Sequence, residues 1–328
     1  MYTLGINAVY HDCSATLVRD GVVLAAAEEE RFTRVKHGKR PLPFTTWQLP
    51  FHAIDYCLAH AGIDIRQVDH FAYSYDPGLL RRDQAPGGRI SLPLEPSRAA
   101  KPTATSSPWD PLFLAYVVNA PRQLADGVPH HLQERLCGAT PAEIMDRWHF
   151  VEHHLAHEAS AFLAAPFDNA AVLTMDGRGE NATTSYGHFS GGQYRRIKQV
   201  DLPHSLGLLY EEVTHYLGFL HSSDEYKVMA LASFGQPRYV DIFENAMHVG
   251  DDGVYALSPL SLVERFGPPR RRGGPLEAHH YDIARSLQFA LEQAVERMAR
   301  WLHRETGSPN LCLAGGVALN CVMNARLR

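Results

Sequence analysis

The chain has 328 residues, 45% hydrophobic and 20% charged, enough for one large domain or two ordinary ones with proper cores. Lys+Arg 31 against Asp+Glu 36 leaves a formal net charge of −5, the wrong sign for a protein built to hold nucleic acid. Five cysteines, Cys13, Cys57, Cys137, Cys312 and Cys321, are odd in number and lack any C-x-x-C spacing. That excludes a disulfide framework or a cysteine metal site and points to a reducing, cytoplasmic compartment. The first residues lack the basic and apolar regions of a secretory leader, and no apolar run is long enough to span a membrane.

In chain order, Tyr2–Val9 reads as a buried strand and Ser14–Val18 as its partner. Asp20-Gly21 is a hairpin signal, and Val22–Ala27 comes after it. Phe51–Ala61 has helical spacing and meets a glycine cap at Gly62. Val68–Tyr75 is a further strand, and the Pro-, Arg- and Gly-rich stretch from Leu79 to Thr105 reads as a surface excursion. Glu152–Ala165 is a helix stopped by Pro166. Ala170–Asp176 is a short buried strand, and Thr183–Phe189 with Tyr194–Val200 form a second hairpin around Ser190-Gly191-Gly192. Ile283–Glu305 is the strongest helix, ended by Gly307, and Leu311–Ala314 is a strand feeding Gly315-Gly316. The strand–turn–strand pattern thus occurs twice, as expected of two related α/β halves. A helix opens after Asn320 and the sequence stops at Arg328, which reads as a truncated chain.

The sharpest local signal is Glu152-His153-His154-Leu155-Ala156-His157. On a helix, His153 and His157 share a face and can grip one metal ion, whereas Glu158 is turned about 100° away and is a poor third ligand. Imidazoles suit iron or zinc. A solvent-facing histidine-rich helix start is the competing reading. Asp176-Gly177-Arg178-Gly179 comes after a buried strand, so small residues there let the backbone approach a phosphate while Asp176 points at a cation. Gly315-Gly316 sits in the same place on another strand, and two such loops together imply a clamped nucleotide; singly, each is an ordinary turn. His11, beside Asp12 in the loop between the first strands, is placed to act as a general base, although Asp and Ser also fill turns. Lys36 and Lys39 can neutralise phosphates or simply form a solvated basic loop. Gly207 opens a helix on which Glu211 can accept hydrogen bonds from a ribose.

In order, the stretches LGINAVYHDCSATLV, AAAEEERFTRVKHGKR, HHLAHEASAF, TMDGRGE, SLGLLYEEVTHYLGF, DEYKVMALASFG and LAGGVALNCVMNARL resemble the nodulation-type O-carbamoyltransferases of antibiotic and nodulation-factor biosynthesis. The resemblance covers essentially the whole chain. It implies an actin-like ATPase fold (ribonuclease-H-like, duplicated α/β halves, about 1–165 and 166–328) similar to the tRNA threonylcarbamoyl transferase subunit. It further implies that His153, His157 and Asp176 bind a divalent metal, Fe2+ ahead of Zn2+ or Mg2+. Asp176, Gly177, Gly179, Gly207, Glu211, Gly315, Gly316 and Asn320 would surround the nucleotide, and His11, Asp12, Lys36 and Lys39 would lie by the carbamoyl group.

The family's substrates are ATP and carbamoyl phosphate, which give carbamoyl-adenylate in a C-terminal YrdC-like domain. The carbamoyl group then passes to a small-molecule hydroxyl acceptor. That second domain is absent from this sequence, and so is the acidic ligand expected in a Gly-Asp segment soon after Asn320. The chain is therefore expected to be a fragment that does not complete the two-step reaction alone. The competing functions are a tRNA-modifying transferase, which the acidic charge disfavours, and a non-catalytic actin-like nucleotide module, which needs no histidine pair. No membrane partner is expected, and a nucleic-acid partner is disfavoured.

Overall fold

Tyr2–Asn7, Ser14–Arg19 and His70–Tyr73 alternate buried and partly buried residues, whereas Ala170–Met175 and Ala182–Gly187 are buried continuously. The structure, a computed structural model, describes residues 1–8, 12–38, 49–80, 114, 116–126, 139–220 and 223–327. Two compact units account for them, Met1–His153 and His154–Arg328.

In the first unit, β1 (Tyr2–Asn7), β2 (Ser14–Arg19) and β3 (Val22–Glu28) form an antiparallel meander. Leu4 and Ile6 of β1 and Ala15 and Leu17 of β2 are buried, each two residues from the next, so one face of the meander supplies the core. Asp20 (φ 50°) and Gly21 (φ 83°) both take the left-handed conformation that a two-residue hairpin turn with the strands' own twist requires. β4 (His70–Tyr73) pairs parallel to β1, and β5 (Trp148–Phe150) parallel to β4, giving the order β3-β2-β1-β4-β5. Helix α1 (Phe51–Ala61) buries Phe51, Ile54 and Leu58 along one stripe. It stops where Gly62 (φ 66°) turns left-handed and returns its N–H to Leu58 and Ala59.

The second unit repeats the scheme. β6 (Asn169–Met175), β7 (Ala182–Ser190) and β8 (Gln193–Asp201) are again an antiparallel meander, and β11 (Leu311–Ala314) pairs parallel to β6. The order β11-β6-β7-β8 matches β4-β1-β2-β3 of the first unit. This is a duplicated α/β architecture, as the repeated strand order shows. A small ribbon, β9 (Met247–Val249) with β10 (Tyr255–Leu257), stands outside both large sheets. Every residue of β6 after Asn169 is buried, as in a strand covered on both faces.

Four helices carry the side chains that shape the site: α2 (His153–Leu163), α3 (Leu206–Tyr216), α4 (Ala278–Thr306) and α5 (Cys321–Leu327). Along α4, Ile283, Leu287, Leu291, Ala294, Met298 and Trp301 are buried at the expected helical spacing, and Gly307 (φ 63°) caps the end. Trp301 meets Tyr186 of β7 edge-on at 5.3 Å, and the Tyr186 hydroxyl donates to the Gly253 carbonyl at 2.6 Å.

Truncating Leu287, 1% exposed in this core, to alanine is expected to lower stability by about 2–5 kcal/mol in urea denaturation, with an unchanged far-UV spectrum.

Candidate metal and nucleotide site

Helix α2 presents its histidines in a rotation set from behind. Glu158, wholly buried on the helix, is held by a two-pronged ion pair: Arg196 of β8 donates from Nε at 2.9 Å and from Nη2 at 3.0 Å. One turn on, Phe162 stacks on Phe189 and Tyr194, ring centres 4.7 and 4.9 Å apart. With Glu158 and Phe162 packed against the sheet, His153 and His157 lie together on another face of the helix. His154 is a core residue instead, fully buried with Nδ1 3.3 Å from the Ser185 hydroxyl. Of three histidines within five residues, the fold selects the pair one turn apart.

The donor atoms of His153, His157 and Asp176 lie within 4.8 Å of one another. His153 Nδ1 is 3.0 Å from the Ser74 carbonyl, which only accepts, so Nδ1 carries the proton and Nε2 the lone pair. His157 Nε2 is 3.3 Å from Asp176 Oδ2. Two imidazoles and one carboxylate, the first ring already oriented by a backbone carbonyl, fit a first-row divalent cation better than Mg2+, which prefers oxygen ligands.

Asp176 ends the β6 region and is the joint of the site. Its Oδ1 accepts from the backbone N–H of Gly177 at 2.8 Å and of Gly316 at 3.0 Å, so one oxygen holds both glycine loops. The glycines are needed for backbone to lie on backbone. A methyl group on Gly207 would sit 2.7 Å from the Gly177 backbone, and one on Gly316 would sit 2.8 Å from Asp176 Oδ1. Gly315 has φ 90°, and a side chain there would collide with the Met175 carbonyl. Ser205 locks the third loop: its buried hydroxyl caps α3 by accepting from Leu208 N–H at 3.0 Å and donates to the Gly177 carbonyl at 2.6 Å. Gly179 closes the intervening turn, its N–H on the Ala182 carbonyl at 2.8 Å.

The other expected residues take different places. Glu211 is half-buried on α3, one turn beyond Gly207. Asn320 is bonded to Gln288 of α4 by both amide groups and caps α5 through Met323 N–H at 3.0 Å. In the first unit, Asp12 Oδ1 is 2.8 Å from His37 Nδ1, and His37 N–H donates to Glu30 at 2.8 Å. Asp12 and His37 both have φ 57°, and Asp12 N–H donates to the His37 carbonyl at 3.1 Å. Lys36 is exposed on that turn. His11 and Lys39 lie outside the described residues. Ser205, Arg196, Gln288 and His37 join the structure's polar contacts without having stood out in the sequence. Ser205 alone left a local signal, a serine ahead of a helical run; the others act through partners distant in the chain.

A carbamoyltransferase N-terminus family model matches residues 2–328. An uncharacterized Synechocystis protein, sll1178, is 40% identical over 344 residues, covering 99% of this chain and 52% of the relative. Nodulation protein NolNO of Sinorhizobium fredii is 35% identical over 333 residues, covering 98% of this chain and 42% of the relative. The chain thus spans about half the length of the curated relatives it matches. Among solved structures, HypF of T. kodakarensis aligns with TM-score 0.46 at 14% identity, covering 100% of this chain and 43% of that one. Component A of the Acidaminococcus fermentans (R)-2-hydroxyglutaryl-CoA dehydratase aligns with TM-score 0.46 at 14% identity, covering 100% and 87%.

Arg196→Ala strands the buried Glu158 carboxylate and is expected to cost about 3–5 kcal/mol in chemical denaturation; Arg196→Ala with Glu158→Leu is expected to recover most of it.

Proposed function

The chain belongs to the carbamoyltransferase N-terminus family, and from that premise we propose that it binds an adenine nucleotide on its glycine loops and transfers a carbamoyl group to a hydroxyl of a small metabolite. The observation that carries this reading is the convergence on Asp176: one carboxylate oxygen ties two glycine loops and the other faces the histidine pair. A phosphate chain and a cation are the two ligands such an arrangement serves at once.

His153, His157 and Asp176 would hold a divalent metal, Fe2+ being the ion we favour, and when bound it would supply positive charge to phosphate or carbonyl oxygens. The rest of the work falls to the protein. Backbone N–H groups around Gly177, Gly207 and Gly316 receive phosphate oxygens, and the missing Cβ atoms let the loops close on one another. Glu211 accepts from ribose hydroxyls. The donor is carbamoyl-adenylate, formed from carbamoyl phosphate and ATP in the part of the longer relatives that lies beyond this chain. In the transfer step the acceptor oxygen attacks the carbamoyl carbon, the carbon–oxygen bond to the phosphate breaks, AMP leaves, and the hydroxyl proton passes to a base. His11 is assigned that role, with Asp12, Lys36 and Lys39 near the carbamoyl group. Because AMP is a good leaving group, holding the two reactants in place contributes more than base strength.

The full-length protein given ATP, carbamoyl phosphate and Fe2+, screened by mass against hydroxylated metabolites, should add one carbamoyl group to an acceptor and release AMP in equal amount; a screen yielding neither contradicts the transfer reading. His157→Ala and Asp176→Asn should each lower metal content after anaerobic reconstitution by about tenfold or more, read by elemental analysis. Wild-type protein that takes up no iron or zinc would instead favour a non-catalytic nucleotide module.

A further inference from the structure

Gln288 sits in the middle of α4, fully buried, where a helix facing a core ordinarily carries an aliphatic side chain. Each of its hydrogen-bonding positions is used. Oε1 accepts from the Tyr210 hydroxyl at 3.1 Å and from Asn320 Nδ2 at 2.8 Å; Nε2 donates to Asn320 Oδ1 at 3.1 Å and to Glu292 Oε1 at 3.1 Å. The chemistry fixes the orientation of both amides. The Glu292 carboxylate can only accept, so the Gln288 nitrogen must face it, and Met323 N–H can only donate, so Asn320 must turn its oxygen there. Burial and the negative charges of Glu225 and Glu292 push the Tyr210 phenol well above its ordinary range, which keeps it a donor.

The partners are not a random sample of the core. Tyr210 is on α3, the helix whose first turn lays Gly207 against Gly177 and whose cap, Ser205, bonds the Gly177 carbonyl. Asn320 ends the loop that begins at Gly315-Gly316. One amide therefore joins α3, whose first turn packs on Gly177, to the Gly316 loop, whose backbone Asp176 Oδ1 holds. Glu292, the third partner, is 5% exposed, with Arg285 at 3.7 Å and Arg326 of α5 at 3.9 Å. A satisfied buried network of this kind specifies one arrangement of the pieces it joins, because any other leaves polar groups unpaired.

We propose that Gln288 is the positioning residue of the nucleotide loops: by clamping Asn320 and Tyr210 it sets the spacing between the α3 N-terminus and the Gly315-Gly316 loop. The inference rests on the reading that those loops hold a nucleotide. Gln288 need touch no phosphate; it acts through Asn320.

The test is a titration with the fluorescent analogue mant-ATP. Wild type is compared with Gln288→Ala, Asn320→Ala, the double variant, Tyr210→Phe and Val295→Ala, the last a core truncation on the same helix with no bond to the network. Gln288→Ala and Asn320→Ala should each weaken binding by about tenfold, and the double variant should be no weaker than the poorer single one, since both remove one linkage. Tyr210→Phe should weaken it by about threefold, while Val295→Ala lowers the melting temperature with affinity held within about twofold. Unchanged affinity in Gln288→Ala overturns the proposal, as does a double variant in which the losses multiply. Should Gln288→Ala not fold, unchanged affinity in Tyr210→Phe overturns it alone. Wild type that does not bind mant-ATP would instead refute the nucleotide reading, and this proposal with it.

Discussion

A carboxylate with two unlike duties organises the second unit. Asp176 gives one oxygen to the backbone of two loops and turns the other to His157. Two backbone N–H groups fix Oδ1, and the geometry that fixes Oδ1 also fixes the direction of Oδ2. Loop closure and the placing of a donor oxygen beside His157 are therefore properties of one side chain. Moving either loop moves Oδ2, and neutralising the carboxylate loosens both.

What surrounds Asp176 is close approach of main chain to main chain. The structure has no room for a Cβ at Gly207 or Gly315, and Ser205 reaches across to the Gly177 carbonyl. The repeated strand order supplies the frame. β6 carries Asp176 beside β11, which carries the Gly315 loop, because the two strands are parallel neighbours and their C-terminal ends coincide. In an open α/β sheet, that end is where ligands collect. Behind His153 and His157, the Glu158–Arg196 pair and the Phe162 stack hold the helix in rotation.

Much of this was legible in the residues alone, for identifiable reasons. Strong periodicity and glycine caps placed α1 and α4 to within a few residues, and Asp20-Gly21 and Gly191-Gly192 marked both hairpins because their turns demand left-handed backbone. The helical spacing of His153 and His157 needed only Asp176 from a distant strand to become a three-donor cluster. Three-residue strands such as Trp148–Phe150 escaped, being too short for any period and defined by their neighbour β4. Gln288 and Arg196 escaped for another reason. A polar residue on an apolar helix stripe, or one on a hairpin strand, is legible as buried only when its partner 32 or 38 residues away in the chain is known to meet it. His153 and His154 are chemically identical neighbours, and only packing tells the member of the three-donor cluster from the core residue.

Crystals soaked with ATP and Fe2+ under anaerobic conditions, with anomalous diffraction recorded at the iron edge, address the central claim most directly. The expected result is a single strong peak within bonding distance of His153, His157 and Asp176 Oδ2, with phosphate density on the adjoining glycine loops and Asp176 Oδ1 still on Gly177 and Gly316. A peak elsewhere, or nucleotide bound away from those loops with Asp176 swung off them, would contradict it.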